Sequence, residues 1–289
     1  WEVKILKKCL RVVLGVLILV SGFSSFSWGE KLSIGVSIAP LCSLVQEVGK
    51  DKVEIFQLIP NGADPHTYEP RPSDVRKIEE GQAFFLVGLG LDFFLEEIIK
   101  NVAEGKPIFY LYQGINLIKE GEGANPHIWL SLPNAQIMVK NISQALSTLD
   151  PENSAYYERN AGEYIQKLAE LDHWFREKVQ NLRQRSFVAQ HPAWDYLARD
   201  YNLELKGVIE KSPGKEPSPR ELKNLIEEMR KEDIRVIFAE PQLNQKIAQV
   251  LAQETNAQVV LLDPLGYFPE KPYFELMREN LNKILEAMK

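Results

Sequence analysis

From Lys31 to the C-terminus, short apolar runs alternate with stretches whose apolar residues recur every third or fourth position. The runs predict strands at Leu32–Ile38, Val53–Leu58, Ala83–Gly88 and Ile108–Tyr112, then at Phe187–Gln190, Leu203–Val208, Arg235–Ala239 and Gln258–Leu262. The periodic stretches predict helices at Leu41–Val48, Ser73–Glu80 and Phe93–Ala103 in the first half. In the second half they predict helices at Ala193–Tyr201, Ser218–Lys231, Gln245–Thr255 and Tyr273–Met288. Strand and helix in alternation imply parallel pairing, so the expected fold is α/β with two lobes, each built on a mainly parallel four-stranded sheet.

Between the halves, Asp150–Leu182 reads as one long helix. Asp150 suits the N-cap and Pro151 the first helical position. Tyr157, Ala161, Tyr164, Ile165, Leu168, Leu171, Phe175, Val179 and Leu182 form an apolar stripe. At 1.5 Å per residue such a helix spans ~50 Å and would act as a stiff spine rather than a free hinge. The predicted organisation is an N-terminal lobe over 30–149, a linking helix over 150–183 and a C-terminal lobe over 184–289. A metal site is expected in the cleft between the lobes.

Residues 1–29 read as a separate object. Lys4, Lys7, Lys8 and Arg11 precede an apolar run from Val12 to Val20, and Ser27-Trp28-Gly29 offers small residues for cleavage before Glu30. That order is a secretory signal peptide, and the run is shorter than the ~20 residues a membrane span requires. Net charge is −6, and removal of this +3 segment leaves −9, which argues against nucleic acid as a partner. Cys9 precedes the apolar run, where it is badly placed for lipid attachment. Cys42 then stands alone, flanked by Leu41 and Leu44, as a buried thiol. An internal disulfide and a multi-cysteine metal site are both excluded. The expected location is a bacterial periplasm.

Three of the four histidines adjoin proline in loops: Pro65-His66, Pro126-His127 and His191-Pro192. Proline restricts its own φ and the conformation of the residue before it, so these imidazoles sit on stiff turns suited to metal ligation. His66 follows the second predicted strand, His191 the fifth, and Asp263 the last, again beside a proline. Ligands in open parallel sheets bind beyond the carboxyl ends of strands. His66, His127, His191 and Asp263 would form a four-coordinate N₃O site that suits zinc, whereas manganese prefers more oxygen and more ligands. Spacings of 61, 64 and 72 residues carry no local signature, and loop-capping histidines with a turn aspartate would give the same pattern. His173, inside the long helix between Asp172 and Trp174, reads as an ordinary surface or packing residue. Glu69 and Glu240 are open between partners of ligating histidines and plain ion pairs. Tyr68 and Trp129 are open between cleft walls and core.

The segments "DPHTYEPRPSD", "GLGLDFF", "NPHIWL", "QHPAWDYLARDYNL", "PSPREL", "FAEPQ" and "ETNAQVVLLDPLG" occur in that order along the chain. In this it resembles the metal-binding subunits of bacterial zinc/manganese ABC importers, substrate-binding proteins with a rigid helical backbone. The resemblance runs from about Lys31 to the end. It implies ligands at His66, His127, His191 and Asp263, with a histidine at the third position going with zinc where manganese-type members usually carry glutamate. Two features depart from the pattern. "LIKEGEGANPH" is short and lacks the His-rich loop of many zinc members, and the disulfide some of them carry in the second lobe cannot form here.

The expectation is a monomeric carrier, not an enzyme, that captures Zn²⁺ and delivers it to an inner-membrane ABC permease. A manganese or iron carrier of the same family is the alternative. A secreted zinc hydrolase is the rival of another class; it would need an open coordination position and a nearby base, and no HExxH-like motif is present.

Overall fold

In the computed structural model, which describes residues 31–211 and 214–289, four parallel strands form the first sheet: β1 (Leu32–Val36), β2 (Val53–Gln57), β3 (Ala83–Leu86) and β4 (Ile108–Tyr110). Their spatial order is β2-β1-β3-β4. The reading of residues 1–29 as a signal peptide, with Cys9, lies outside the described residues. A second parallel sheet contains β7 (Ser186–Ala189), β8 (Glu204–Val208), β9 (Val236–Ala239) and β10 (Gln258–Leu261), in the order β10-β9-β7-β8. Numbered within its own half, each sheet therefore runs 2-1-3-4. Both change direction between their first and third strands, the place where such sheets open a crevice for ligands. β3 and β9, Ala-Phe-Phe-Leu and Val-Ile-Phe-Ala, are buried at every position, as strands covered on both faces should be.

The crossover helices of the first half are α1 (Ala39–Gly49), α2 (Pro72–Glu80) and α3 (Phe93–Val102). Cys42 lies on α1, fully buried, and burial pushes its thiol far above the ordinary range, so it packs as a small apolar group. Gly35 in β1 is required by packing, because a Cβ there would come within 2.6 Å of the Phe84 ring. After β4 the chain makes a two-residue hairpin, β5 (Lys119–Glu120) and β6 (Gly123–Ala124).

One long helix joins the two halves as expected, and a second helix packs beside it. α4 (Leu132–Leu149) precedes α5 (Ser154–Val179), and the two pack along each other more extensively than any other pair of elements. The long helix is thus 26 residues, ~39 Å at 1.5 Å per residue, and shorter than expected. Asp150 does not cap it. It ends α4, and its Oδ2 accepts from Asn153 Nδ2 at 2.7 Å and Tyr157 Oη at 2.7 Å, while Pro151 opens a 3₁₀ turn over Pro151–Asn153. α4 carries the same apolar rhythm, at Ala135, Met138, Val139, Ile142, Ala145 and Leu146, all buried, and its N-cap Ser131 accepts from Asn134 N.

The second half adds α6 (Asp195–Tyr201), α7 (Pro219–Lys231), α8 (Lys246–Thr255) and α9 (Tyr273–Ala287). One apolar cluster runs from the first sheet through the helix pair to one face of the second sheet, where it includes Phe187 and Phe238. Val188 and Ile237 face the other way, into a smaller cluster with Leu225, Met229 and Leu251 from α7 and α8. Among the described residues, no helix is long and apolar enough to cross a membrane.

Candidate metal centre

His66 lies in the loop after β2, where Asp64 builds the turn: its Oδ1 accepts His66 N at 3.0 Å and its Oδ2 accepts Thr67 Oγ1 at 3.1 Å. His127 follows the hairpin, just before a 3₁₀ turn at Ile128–Leu130. His191 and Glu240 leave the ends of β7 and β9, at the switch point of the second sheet. Gln190 stitches those ends together, accepting Glu240 N at 3.0 Å and donating to Asn244 O at 2.9 Å.

These loops bring three imidazoles to one point. Nε2 of His127 stands 3.0 Å from Nε2 of His66 and 3.0 Å from Nε2 of His191. The three ligand atoms all lie within 4.8 Å of one another. Around a zinc ion at ~2.0–2.1 Å, tetrahedral nitrogens stand ~3.3 Å apart, so the cluster needs only a few tenths of an ångström to fit. His127 and His191 are buried, and His66 is the least buried of the three.

The hydrogen-bond partners decide where the lone pairs point. Asn125 Nδ2 donates to Pro192 O at 2.6 Å and to Asp195 Oδ2 at 2.9 Å, both pure acceptors, so Asn125 Oδ1 must face His127. That oxygen accepts His127 N at 3.0 Å and His127 Nδ1 at 2.9 Å, which puts the proton on Nδ1 and leaves Nε2 a bare lone pair. His191 Nδ1 stands 2.6 Å from the Glu240 carboxylate, an ion pair when the imidazole is protonated, and its Nε2 points toward the other two rings. Imidazole nitrogens 3.0 Å apart need either a proton or a metal ion between them. The donor set therefore fits a metal ion.

The electrostatics agree. Burial lowers the His66 pKa to about 4, helped by the charge on His191, and burial with both neighbouring imidazoles drives His127 well below its ordinary value. Burial also opposes protonation of His191, but Glu240, with Asp64 and Glu210 beyond it, outweighs that and raises its pKa. Burial raises the Glu240 carboxyl, and the attraction of His191 opposes the rise.

Asp263, in the loop after β10, stands outside this triad: its carboxylate is not among the atoms that converge. Its Oδ1 accepts Gln242 Nε2 at 2.8 Å, Gly266 N at 3.0 Å and Leu265 N at 3.1 Å. The neighbouring Pro264 and Leu265 do line the cavity, together with Asp64, Trp129, Glu240 and Gln242. Trp129 is both wall and brace, since its Nε1 donates to Pro264 O at 2.7 Å. Tyr68 bonds Asp74 at 2.6 Å and packs on Phe94, and Glu69 is exposed; neither lines the cavity. His173 is 76% exposed on α5 beside Glu177. Asn125, Asp64 and Gln242 were not singled out from the sequence. Asp64 and Asn125 do carry a signal there, each being an Asx residue directly before a Pro-His pair.

The family model described as "Zinc-uptake complex component A periplasmic" matches residues 34–287. The "High-affinity zinc uptake system protein ZnuA" of Bacillus subtilis is 30% identical over 92% of this chain and 90% of its own length. The "Manganese ABC transporter substrate-binding lipoprotein PsaA" of Streptococcus mitis is 29% identical, covering 95% and 96%. A solved structure described as "Crystal structure of ZnuA" superposes with a TM-score of 0.84 at 33% identity, over 90% of this chain and all of that one.

Proposed function

Since the chain belongs to the periplasmic zinc-uptake component A family, whose members are metal-binding substrate-binding proteins of ABC transporters rather than enzymes, we propose that it captures Zn²⁺ in the periplasm and delivers it to an inner-membrane ABC permease. The ion is the cargo, held by His66, His127, His191 and Asp263, and the protein works as a monomer. One observation carries this reading: three imidazole nitrogens converge within 4.8 Å of one another, where one metal ion can replace the protons they would otherwise share. Three neutral nitrogens and one carboxylate leave the bound zinc with a formal charge of +1, and the site sits at the carboxyl ends of strands, within reach of solvent.

Manganese is the second reading, because the relative in Streptococcus mitis is named for it. The three-nitrogen donor set favours zinc, since manganese prefers oxygen-rich sites of higher coordination number. The test is the metal content of protein recovered from its native periplasm without added ions, together with competition among Zn²⁺, Mn²⁺ and Fe²⁺. One equivalent of zinc supports the reading. Native protein filled with manganese or iron overturns it, even where zinc wins the competition in vitro, because zinc outbinds both at most nitrogen and oxygen sites.

A further inference from the structure

We propose that Gln242 selects the metal by fixing how Asp263 presents its carboxylate; this rests on the reading of Asp263 as the fourth ligand. Gln242 lies two residues beyond Glu240 and lines the same cavity as the three histidines. Its Nε2 donates to Asp263 Oδ1 at 2.8 Å, the shortest of three bonds to that oxygen; the others come from Leu265 N at 3.1 Å and Gly266 N at 3.0 Å. Three donors crowd that one oxygen, and Gln242 makes the closest approach of the three. Oδ2 accepts from none of the described residues, so it alone keeps lone pairs for an ion.

The carboxylate has little freedom to present itself otherwise. Asn280 grips both backbone poles of Asp263, accepting its N–H at 3.0 Å and donating to its carbonyl at 2.6 Å. Of the three donors on Oδ1, the two amides belong to Asp263's own turn. Only Gln242 reaches it as a side chain from the cavity. With Nε2 turned to the carboxylate, Gln242 Oε1 is left buried without a partner. An unpaired buried carbonyl is unfavourable, so the amide is not placed there for its own hydrogen bonding.

A carboxylate that offers one oxygen makes, with three imidazoles, a four-coordinate site. Zinc accepts that geometry, whereas manganese gains from a second carboxylate oxygen and a larger coordination number. Gln242 thus disfavours manganese by adding, beyond the two amides of the turn, the closest donor on the oxygen it would need. No difference in histidine placement is required.

The experiment measures Zn²⁺ and Mn²⁺ affinity, and the visible spectrum of the Co²⁺ form, for the wild type, Gln242→Met and Asp263→Ala. Methionine keeps the length of glutamine and removes the donor. The wild type should show the intense Co²⁺ band of a four-coordinate site. Gln242→Met should weaken that band and shrink the preference for zinc over manganese by about tenfold, the worth of one hydrogen bond to a charged oxygen. If Gln242→Met keeps both the band and the preference while Asp263→Ala loses affinity, Asp263 is a ligand but Gln242 does not choose the metal. If Asp263→Ala binds both ions as tightly as the wild type, the four-ligand reading itself fails, and this role of Gln242 with it.

Discussion

The two buried imidazoles of the cluster depend on residues far away in the sequence. His127 owes its tautomer to Asn125, whose own orientation is set by Pro192 and Asp195 some 67 and 70 residues away. Asn125→Leu should therefore weaken zinc binding by about 10–100-fold although it touches no metal, as loss of an outer partner of a ligating histidine does. Calorimetric titration against the wild type checks it. His191→Ala should lose more than this, above ~100-fold, while His173→Ala, on the exposed face of α5, should bind like the wild type. The pH response follows from unequal pKa shifts. A proton competes with the metal for Nε2, so affinity falls as pH falls. His191, with its pKa raised by Glu240, competes first as the pH falls. His66 joins only near its pKa of about 4, and His127 is likewise held well below its ordinary value. The logarithm of the dissociation constant should thus climb by about one per pH unit just below the His191 transition, not by three. A slope near three there would mean that the three rings titrate alike.

At the scale of elements, what could be read from the sequence was what burial writes into it. Strands covered on both faces appear as unbroken apolar runs, and each of the eight predicted strands corresponds to one of the eight in the two parallel sheets. α4 has an equally regular stripe, yet Asn134, Asn141, Ser143, Ser147 and Thr148 dilute its helix propensity, and packing against α5 is what makes it form. Proline next to histidine marked the loops that hold the cluster. Nothing local marked Gln242, because its partner arrives from another strand's loop. The helix pair supports the site without belonging to it, so Leu168→Ala in the buried stripe of α5 should lower stability by about 2–5 kcal/mol and leave the zinc stoichiometry unchanged. Chemical denaturation paired with metal analysis tests both halves of that statement.

At the scale of the whole molecule, hydrogen bonds tie the loops of the first sheet to those of the second on both sides of the cavity. Asn125 reaches Pro192 on one side, and Trp129 holds Pro264 on the other. Tyr273 at the start of α9 donates to Trp129 O at 2.6 Å through its hydroxyl and to Ser43 Oγ at 2.8 Å through its backbone N–H. Asn61, five residues before His66, grips Phe268 with both ends of its amide, donating to the carbonyl at 2.8 Å and accepting the N–H at 3.3 Å. With a continuous apolar cluster behind these bonds, exchange of the ion by a wide swing of one lobe would break many contacts at once. Local movement of the loops around 61–68 and 265–269 breaks few, with Asp263 and Pro264 still held by Asn280 and Trp129. Small-angle scattering should then give the same radius of gyration with zinc and after chelation, while amide exchange rises in those two loops alone. Asn61→Ala removes the two bonds that join them, each worth about 0.5–1.5 kcal/mol, and should speed zinc loss to a chelator by about tenfold with little change in the capture rate. An unchanged release rate, or a large change in scattering on metal removal, would show that the lobes part as rigid bodies.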